Sequence, residues 1–313
     1  MKIHGAYLFT GMIVLAAVVP ALAASGPDPA GVQTQMVITV QPNHKGGSVP
    51  QHLQANDLTV TQGKTRVPVV RLERMAGDLA GMQLFVFLDD ATRSSSLGLQ
   101  LPALKSFLKS LPASTQVAAG YMRNGTFALV QPFTTDHQAA AESLRLPAAI
   151  PGENGSPYFA LSDLVKHWPS TEPTGRRAVM VLTDGVDRYY SASQVDDPYV
   201  DTAIEDSLKN NVTVYSIYLR GAGLYGRNIW LTNLAQSRLG QVSQETGGYA
   251  YFQDLDDPVT ITPFLDDFSE RLQHQYQVTI AALRRVEESG APGFLERAFS
   301  GFAAPQLTEA AHG

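Results

Sequence analysis

Residues 89–96, Asp89-Asp90-Ala91-Thr92-Arg93-Ser94-Ser95-Ser96, set two carboxylates and then four hydroxyls directly behind an apolar run, Phe85-Val86-Phe87-Leu88. Farther along, Val179-Met180-Val181-Leu182 runs into Thr183-Asp184-Gly185, so a second apolar segment also ends on a carboxylate. Carboxylate and hydroxyl oxygens are hard ligands, and the chemistry they suit is the holding of a hard divalent cation. The alternative is structural, because Asp, Ser and Thr after a strand are also ordinary turn and helix-capping residues.

Other chemistries lack their residues. The histidines are scattered with no H-E-x-x-H spacing, and there is no G-x-S-x-G, no G-x-G-x-x-G and no complete phosphate loop. Gly63-Lys64-Thr65 resembles the end of a phosphate loop, but Leu58 stands where the first glycine is needed, which leaves a hairpin turn. A phosphatase reading of the first run needs a second aspartate two residues after the nucleophile, and neither Ala91 nor Thr92 supplies it. His137, beside Asp136 at a helix start, reads as a first-turn residue rather than a base.

The elements that must carry these residues alternate between strand and helix. Leu84 to Leu88 and Val179 to Leu182 are apolar without alternation, which predicts strands covered on both faces, and Val212 to Tyr218 reads as a third such strand. Amphipathic spacing predicts helices around 102–111, 135–146, 157–168, 228–244 and 263–276. Asn124-Gly125 between two β-type runs is a hairpin signal, and 249–252 reads as a short strand. This pattern implies an α/β fold: a doubly wound, mostly parallel sheet with helices on both faces. In such sheets ligands bind beyond the carboxyl ends of the strands, so Asp90 and Asp184 are expected to converge there if their strands are neighbours.

The chain of 313 residues, 44% hydrophobic, is long enough for a full core. Its formal charge of -6 and lack of a dense Lys/Arg run argue against nucleic acid as a partner. Residues 1–23 read as a secretory signal peptide, an apolar stretch ending in the small-residue run Ala21-Leu22-Ala23, with no membrane span left after its removal. The predicted location is secreted, periplasmic or cell envelope, and the lack of cysteine excludes disulfides and thiolate sites. The expected organisation continues with a linker at 24–33, a small antiparallel β module at 34–76, the main α/β domain at 82–281 and a tail at 282–313.

Asp90-Ala91-Thr92-Arg93-Ser94 resembles the D-x-S-x-S motif of the von Willebrand factor type A family, with Thr92 in place of the first serine, and Thr183-Asp184-Gly185 resembles its later T-D-G. The Asp57-Leu58-Thr59-Val60 module, Glu245-Thr246-Gly247-Gly248 and Leu272-Gln273-His274-Gln275-Tyr276 extend the likeness to the secreted type A-related proteins of Acidobacteria. The resemblance implies a metal ion-dependent adhesion site formed by Asp90, Thr92, Ser94, Asp184 and the hydroxyl of Ser156. It implies Mg²⁺ as the cation, with Mn²⁺ or Ca²⁺ as substitutes, and an open coordination position filled by an acidic group of a protein partner.

Asp89 is left to support that set or to pair with Arg93, which departs from the small residue usual there. Tyr189, Tyr190 and Tyr225 lie just past the strands that border the site and are candidates for a contact surface. The expected function is a non-enzymatic binding or adhesion module. The alternatives are an envelope scaffold with a vestigial site and, behind it, a metal-assisted hydrolase.

Overall fold

The computed structural model describes residues 19–20, 33–41, 49, 52–62, 65–150, 155–172, 174–190, 196–223 and 225–281. Residues 1–32 apart from Val19–Pro20, which include the segment read as a signal peptide and most of that read as a linker, and residues 282–313, read as a tail, lie outside them. Strand β1 is Val19–Pro20, followed by β2 Gln33–Thr39, β3 Val60–Gln62, β4 Thr65–Val67 and β5 Val69–Arg74. The α/β part runs through β6 Met82–Asp89, α1 Ser94–Ser110, β7 Thr115–Arg123, β8 Thr126–Thr134, α2 His137–Ser143 and α3 Pro157–Lys166. It continues with β9 Arg177–Thr183, α4 Pro198–Lys209, β10 Val212–Tyr218, α5 Ile229–Glu245, β11 Ala250–Tyr251, α6 Thr262–Gln273 and β12 Gln275–Ala281.

The main sheet has the order β11-β10-β9-β6-β7-β8, parallel except for β8, which returns antiparallel to β7. Counted within the sheet, that order is 3-2-1-4-5-6, a doubly wound arrangement with its switch point between β6 and β9. The expected fold class is therefore present. Every residue of β6 is buried, as unalternating sequence requires when helices cover both faces.

Period-two alternation divides that burial. Leu84, Val86 and Leu88 pack with residues of α1, α2 and α6 on one face, whereas Phe85 and Phe87 pack with residues of α3, α4 and α5 on the other. Phe85 makes edge-on contacts with Phe87, Phe127 and Phe133, which anchors the strand laterally as well as vertically.

Two boundaries differ from the sequence expectation. Helix α1 begins at Ser94 rather than near Pro102, so the proline lies inside it without an N–H for the Gly98 carbonyl. More consequentially, Gln275–Ala281 is a strand and not the end of a helix. It pairs antiparallel with both β2 and β5, so the small sheet has the order β1-β2-β12-β5 and takes an inner strand from the far end of the α/β domain. The β module is thus not closed at residue 76: Met36, Ile38, Val60 and Val67 bury themselves against Tyr276, Val278 and Ile280.

The Asn124-Gly125 hairpin forms as expected, with both residues at positive φ, 51° and 71°. A Cβ on Gly125 would also stand 2.5 Å from a ring carbon of Tyr189. Gly125→Ala is therefore expected to cost about 1–2 kcal/mol through backbone strain and displacement of that ring. Chemical denaturation checks this; an unchanged midpoint refutes it.

Candidate functional site

At the switch point the ends of β6 and β9 open a crevice lined by Asp89, Ala91, Met122, Asn124, Ser156 and Arg188, among others. Asp89 is the last residue of β6 and falls in phase with Phe85 and Phe87, so its carboxylate faces the α3 side. Its Oδ1 accepts the Ala91 N–H at 2.9 Å and its Oδ2 accepts the Thr183 hydroxyl at 2.7 Å. Burial, and then the Asp184 charge, lift its pKa to about 6, against the opposing pull of Arg188.

Asp184 follows β9 in a turn closed by the Val186 N–H on Oδ1 at 3.0 Å. Both of its oxygens are taken by Arg188, at 3.3 Å from Nη1 to Oδ1 and 2.5 Å from Nη2 to Oδ2. This ion pair is almost dry, with side chains 3% and 2% exposed. Arg188 Nη1 also donates to the Val186 carbonyl at 3.1 Å, and its guanidinium carbon lies 4.5 Å from the centre of the Tyr225 ring. Burial alone weakens a guanidinium's hold on its proton, but Asp184 outweighs that and raises the Arg188 pKa.

Ser156 caps α3, accepting the Phe159 N–H at 3.1 Å, as a serine before Pro157 at the first helical position should. Its hydroxyl donates to the fully buried Asp187, which also receives the Tyr189 and Tyr190 N–H groups, both at 2.8 Å. The Arg188 N–H bonds to the Gly155 carbonyl at 2.8 Å, so the loops after β9 and before α3 are tied together.

Asp90 is elsewhere. One residue on from Asp89, it faces the opposite side of the sheet and pairs with Arg145, at 2.7 Å from Nη1 to Oδ1 and 3.3 Å from Nη2 to Oδ2. The Ala148 N–H completes its partners at 2.8 Å, and the Arg145 guanidinium stacks 3.9 Å from the centre of the Tyr121 ring.

The five residues expected to cage a cation are therefore not gathered. The expected convergence of Asp90 with Asp184 fails because adjacent strand residues point to opposite faces, and Asp89 stands beside Asp184 instead. Thr92 is buried with its hydroxyl donated to the Asp89 carbonyl, Ser94 is exposed in the first turn of α1, and the Ser156 hydroxyl is committed to Asp187. With Asp89 in the carboxylate position, the two hydroxyl positions fall on Ala91 and Arg93, which carry no oxygen ligand. Arg93 is exposed, and the bonds to the Asp89 carboxylate come from Ala91 and Thr183 rather than from it.

A divalent metal does not fit the residues as placed. Among the described residues no group of three or more His, Asp or Glu side chains is set to hold one. The residues that sequence reasoning missed are Arg188, Asp187 and Arg145. For Arg188 the signal was present, an arginine four residues after Asp184.

Beside the crevice the rings of Phe159 and Tyr189 flank Gly125 in the turn of the β7–β8 hairpin and begin an aromatic rim. Phe159 and Tyr189 are each 44% exposed, with ring centroids 6.2 Å apart. Tyr199 at the start of α4 meets Phe159 at 5.5 Å and Tyr190 at 6.3 Å. Of the tyrosines expected near the site, Tyr189 and Tyr190 thus form part of the rim, while Tyr225 covers Arg188.

No protein-family model and no curated protein matches the chain. Solved structures similar to it include an aerotolerance-related membrane protein from Bacteroides fragilis, at 15% identity and a TM-score of 0.43, covering 61% of this chain and 98% of that one. BatB from Bacteroides thetaiotaomicron aligns at 15% identity with a TM-score of 0.42, covering 61% of this chain and 97% of its own. The vWF domain of the type V pili tip protein Mfa5 from Porphyromonas gingivalis aligns at 10% identity and a TM-score of 0.42, over 62% of this chain and 94% of its own. These are likenesses of fold. The doubly wound sheet, parallel but for strand β8, is the fold class that the alternation of strands and helices implies.

Proposed function

We propose that this chain, a type A-like domain, is a secreted, non-enzymatic binding module that engages a protein partner at the carboxyl edge of its main sheet. The observation that carries this reading is the rim in which exposed Phe159 and Tyr189 pack with half-buried Tyr190 and Tyr199, because mutually packed aromatics beside a switch-point crevice are the side chains from which contact hot spots are made. The rim is also held firmly. Phe159 sits in the first turn of α3, Tyr189 follows the Asp187 turn, and the hairpin glycine leaves room for both rings.

Against catalysis stands the engagement of the polar groups. Asp184 is spent on Arg188, Asp187 on Ser156 and two backbone N–H groups, and among the described residues no hydroxyl at this edge is paired with a histidine base. The leader read at residues 1–23 supports secretion, and among the described residues no helix is long and apolar enough to cross a membrane.

The test is capture from cell-envelope extract by the immobilised protein, with the captured partner then titrated against variants. Tyr189→Ala and Phe159→Ala are each expected to weaken binding by about 30-fold, corresponding to a hot-spot loss of about 2 kcal/mol. Val70→Ala, an exposed apolar change on the small sheet, should leave binding intact. A partner retained equally by both rim variants rules out this surface.

A further inference from the structure

We propose that the Arg188 guanidinium is the resident cation of this domain, occupying at the switch point the role that the motif resemblance gives to a divalent metal, so that the edge is built and works without one. This goes beyond the binding reading and is tested without a partner, so either can fail alone.

The first ground is the seat of the guanidinium. Arg188 is four residues after Asp184, on the loop that leaves β9, and the turn at Val186 swings its side chain back over the carboxylate. It satisfies both Asp184 oxygens and the Val186 carbonyl, and the Tyr225 ring covers it. The other side of Asp184 is closed by backbone, since a Cβ on Gly221 would stand 2.7 Å from Oδ2. A cation approaching that carboxylate must displace Arg188 and break its bonds to both Asp184 oxygens.

The second ground is the oxygen count around Asp89. A strand-end carboxylate followed by hydroxyls at the second and fourth positions would make a cation cage, but those positions here are Ala91 and Arg93. Of the hydroxyls that the sequence does provide, Thr92 is bonded to the Asp89 carbonyl, Thr183 to the Asp89 carboxylate and Ser156 to Asp187, while Ser94 is exposed in the first turn of α1. The third ground is charge. Asp89 and Asp184 are buried and close enough to repel, and Arg188, bonded to Asp184 and attracting both, supplies a permanent positive charge that no chelator can remove.

A consequence is that the edge has no vacant coordination position for a partner's carboxylate. That separates this domain from the metal-dependent mode the resemblance implies, and leaves recognition to the rim.

The experiment uses the purified full chain with Mn²⁺ as the probe. The wild type is expected to unfold at the same temperature in chelator and in millimolar Mg²⁺ or Mn²⁺, and to leave the Mn²⁺ paramagnetic signal at full intensity. Arg188→Ala is expected to unfold at a lower temperature in chelator and to recover by at least about 2 °C in Mn²⁺, as the two exposed carboxylates take up the ion. Stoichiometric Mn²⁺ binding by the wild type that is lost in Asp184→Ala overturns the proposal. So does an Arg188→Ala protein that folds but gains no response to Mn²⁺. Should Arg188→Ala fail to fold in either medium, Arg188→Lys decides: a folded protein indifferent to Mn²⁺ supports a resident side-chain cation, and one that binds Mn²⁺ overturns it.

Discussion

Asp184→Ala unfolds with about 3 kcal/mol less stability than the wild type, whereas Asp90→Ala loses about 1–2 kcal/mol, although the two aspartates stand equally in the sequence pattern. The difference comes from their partners. Removing Asp184 strands a guanidinium that is 3% exposed, and uncompensated buried charge typically costs about 3–5 kcal/mol. The neighbouring Asp89 carboxylate takes up part of that charge, which brings the loss to the lower end of the range. Arg145, by contrast, is 42% exposed, so on losing Asp90 its guanidinium returns to water and the remaining cost is the unsatisfied Ala148 N–H and the vacated carboxylate site. The two sites share no partner and face opposite sides of β6, so the double variant should show the sum of the single losses to within about 0.5 kcal/mol. Urea unfolding of the three variants is the measurement. Equal losses for the two single variants contradict the placement of Asp90 and Asp184 on different faces.

That placement also shows how far the sequence could be read. The unbroken apolar runs 84–88 in β6 and 179–182 in β9 predict buried parallel strands because a strand covered on both faces has no polar side to reveal, and these strands and β10 form as read. The hairpin was legible because Asn-Gly is one of the few pairs that takes positive φ twice. Strand β12 was not legible as a strand, although Tyr276, Val278 and Ile280 alternate with Gln277 and Thr279. The apolar spacing of α6 runs up to it, and its partners in β2 and β5 lie some 200 residues earlier, where no local signal reaches.

In the site itself the error was one of phase. Taking Asp90 as the ligand from its resemblance to a metal motif through Thr92 and Ser94 presupposes the metal, while counting by twos from Phe85 and Phe87 places Asp89 on the α3 face without that premise. The neutralising arginine stands four residues after Asp184, a spacing that marks it as a partner, but a turn rather than a helix brings the two together, so the spacing alone does not give the geometry.

The other large effect belongs to Asp89 and appears as a pH dependence. Its carboxyl is lifted from 3.8 to about 6, first by burial and then by Asp184, with Arg188 and the Thr183 and Ala91 hydrogen bonds pulling the other way. Because the folded pKa lies above the unfolded one, the folded state holds a proton that the unfolded chain releases between those values. The stability this group contributes is therefore complete below about pH 4 and is lost as pH rises through about 6, with a total near 3 kcal/mol. Asp89→Asn removes the titration while keeping the shape. The Thr183 hydroxyl can turn to accept from the new amide, and the amide oxygen can still receive the Ala91 N–H. Wild-type stability should thus fall relative to the variant between about pH 4 and pH 7, leaving Asp89→Asn the more stable protein at neutral pH by up to about 3 kcal/mol. Denaturant midpoints at a series of pH values decide it. Parallel curves for the two proteins mean that Asp89 ionises as an ordinary carboxylate and that the crevice is wetter than its buried geometry implies.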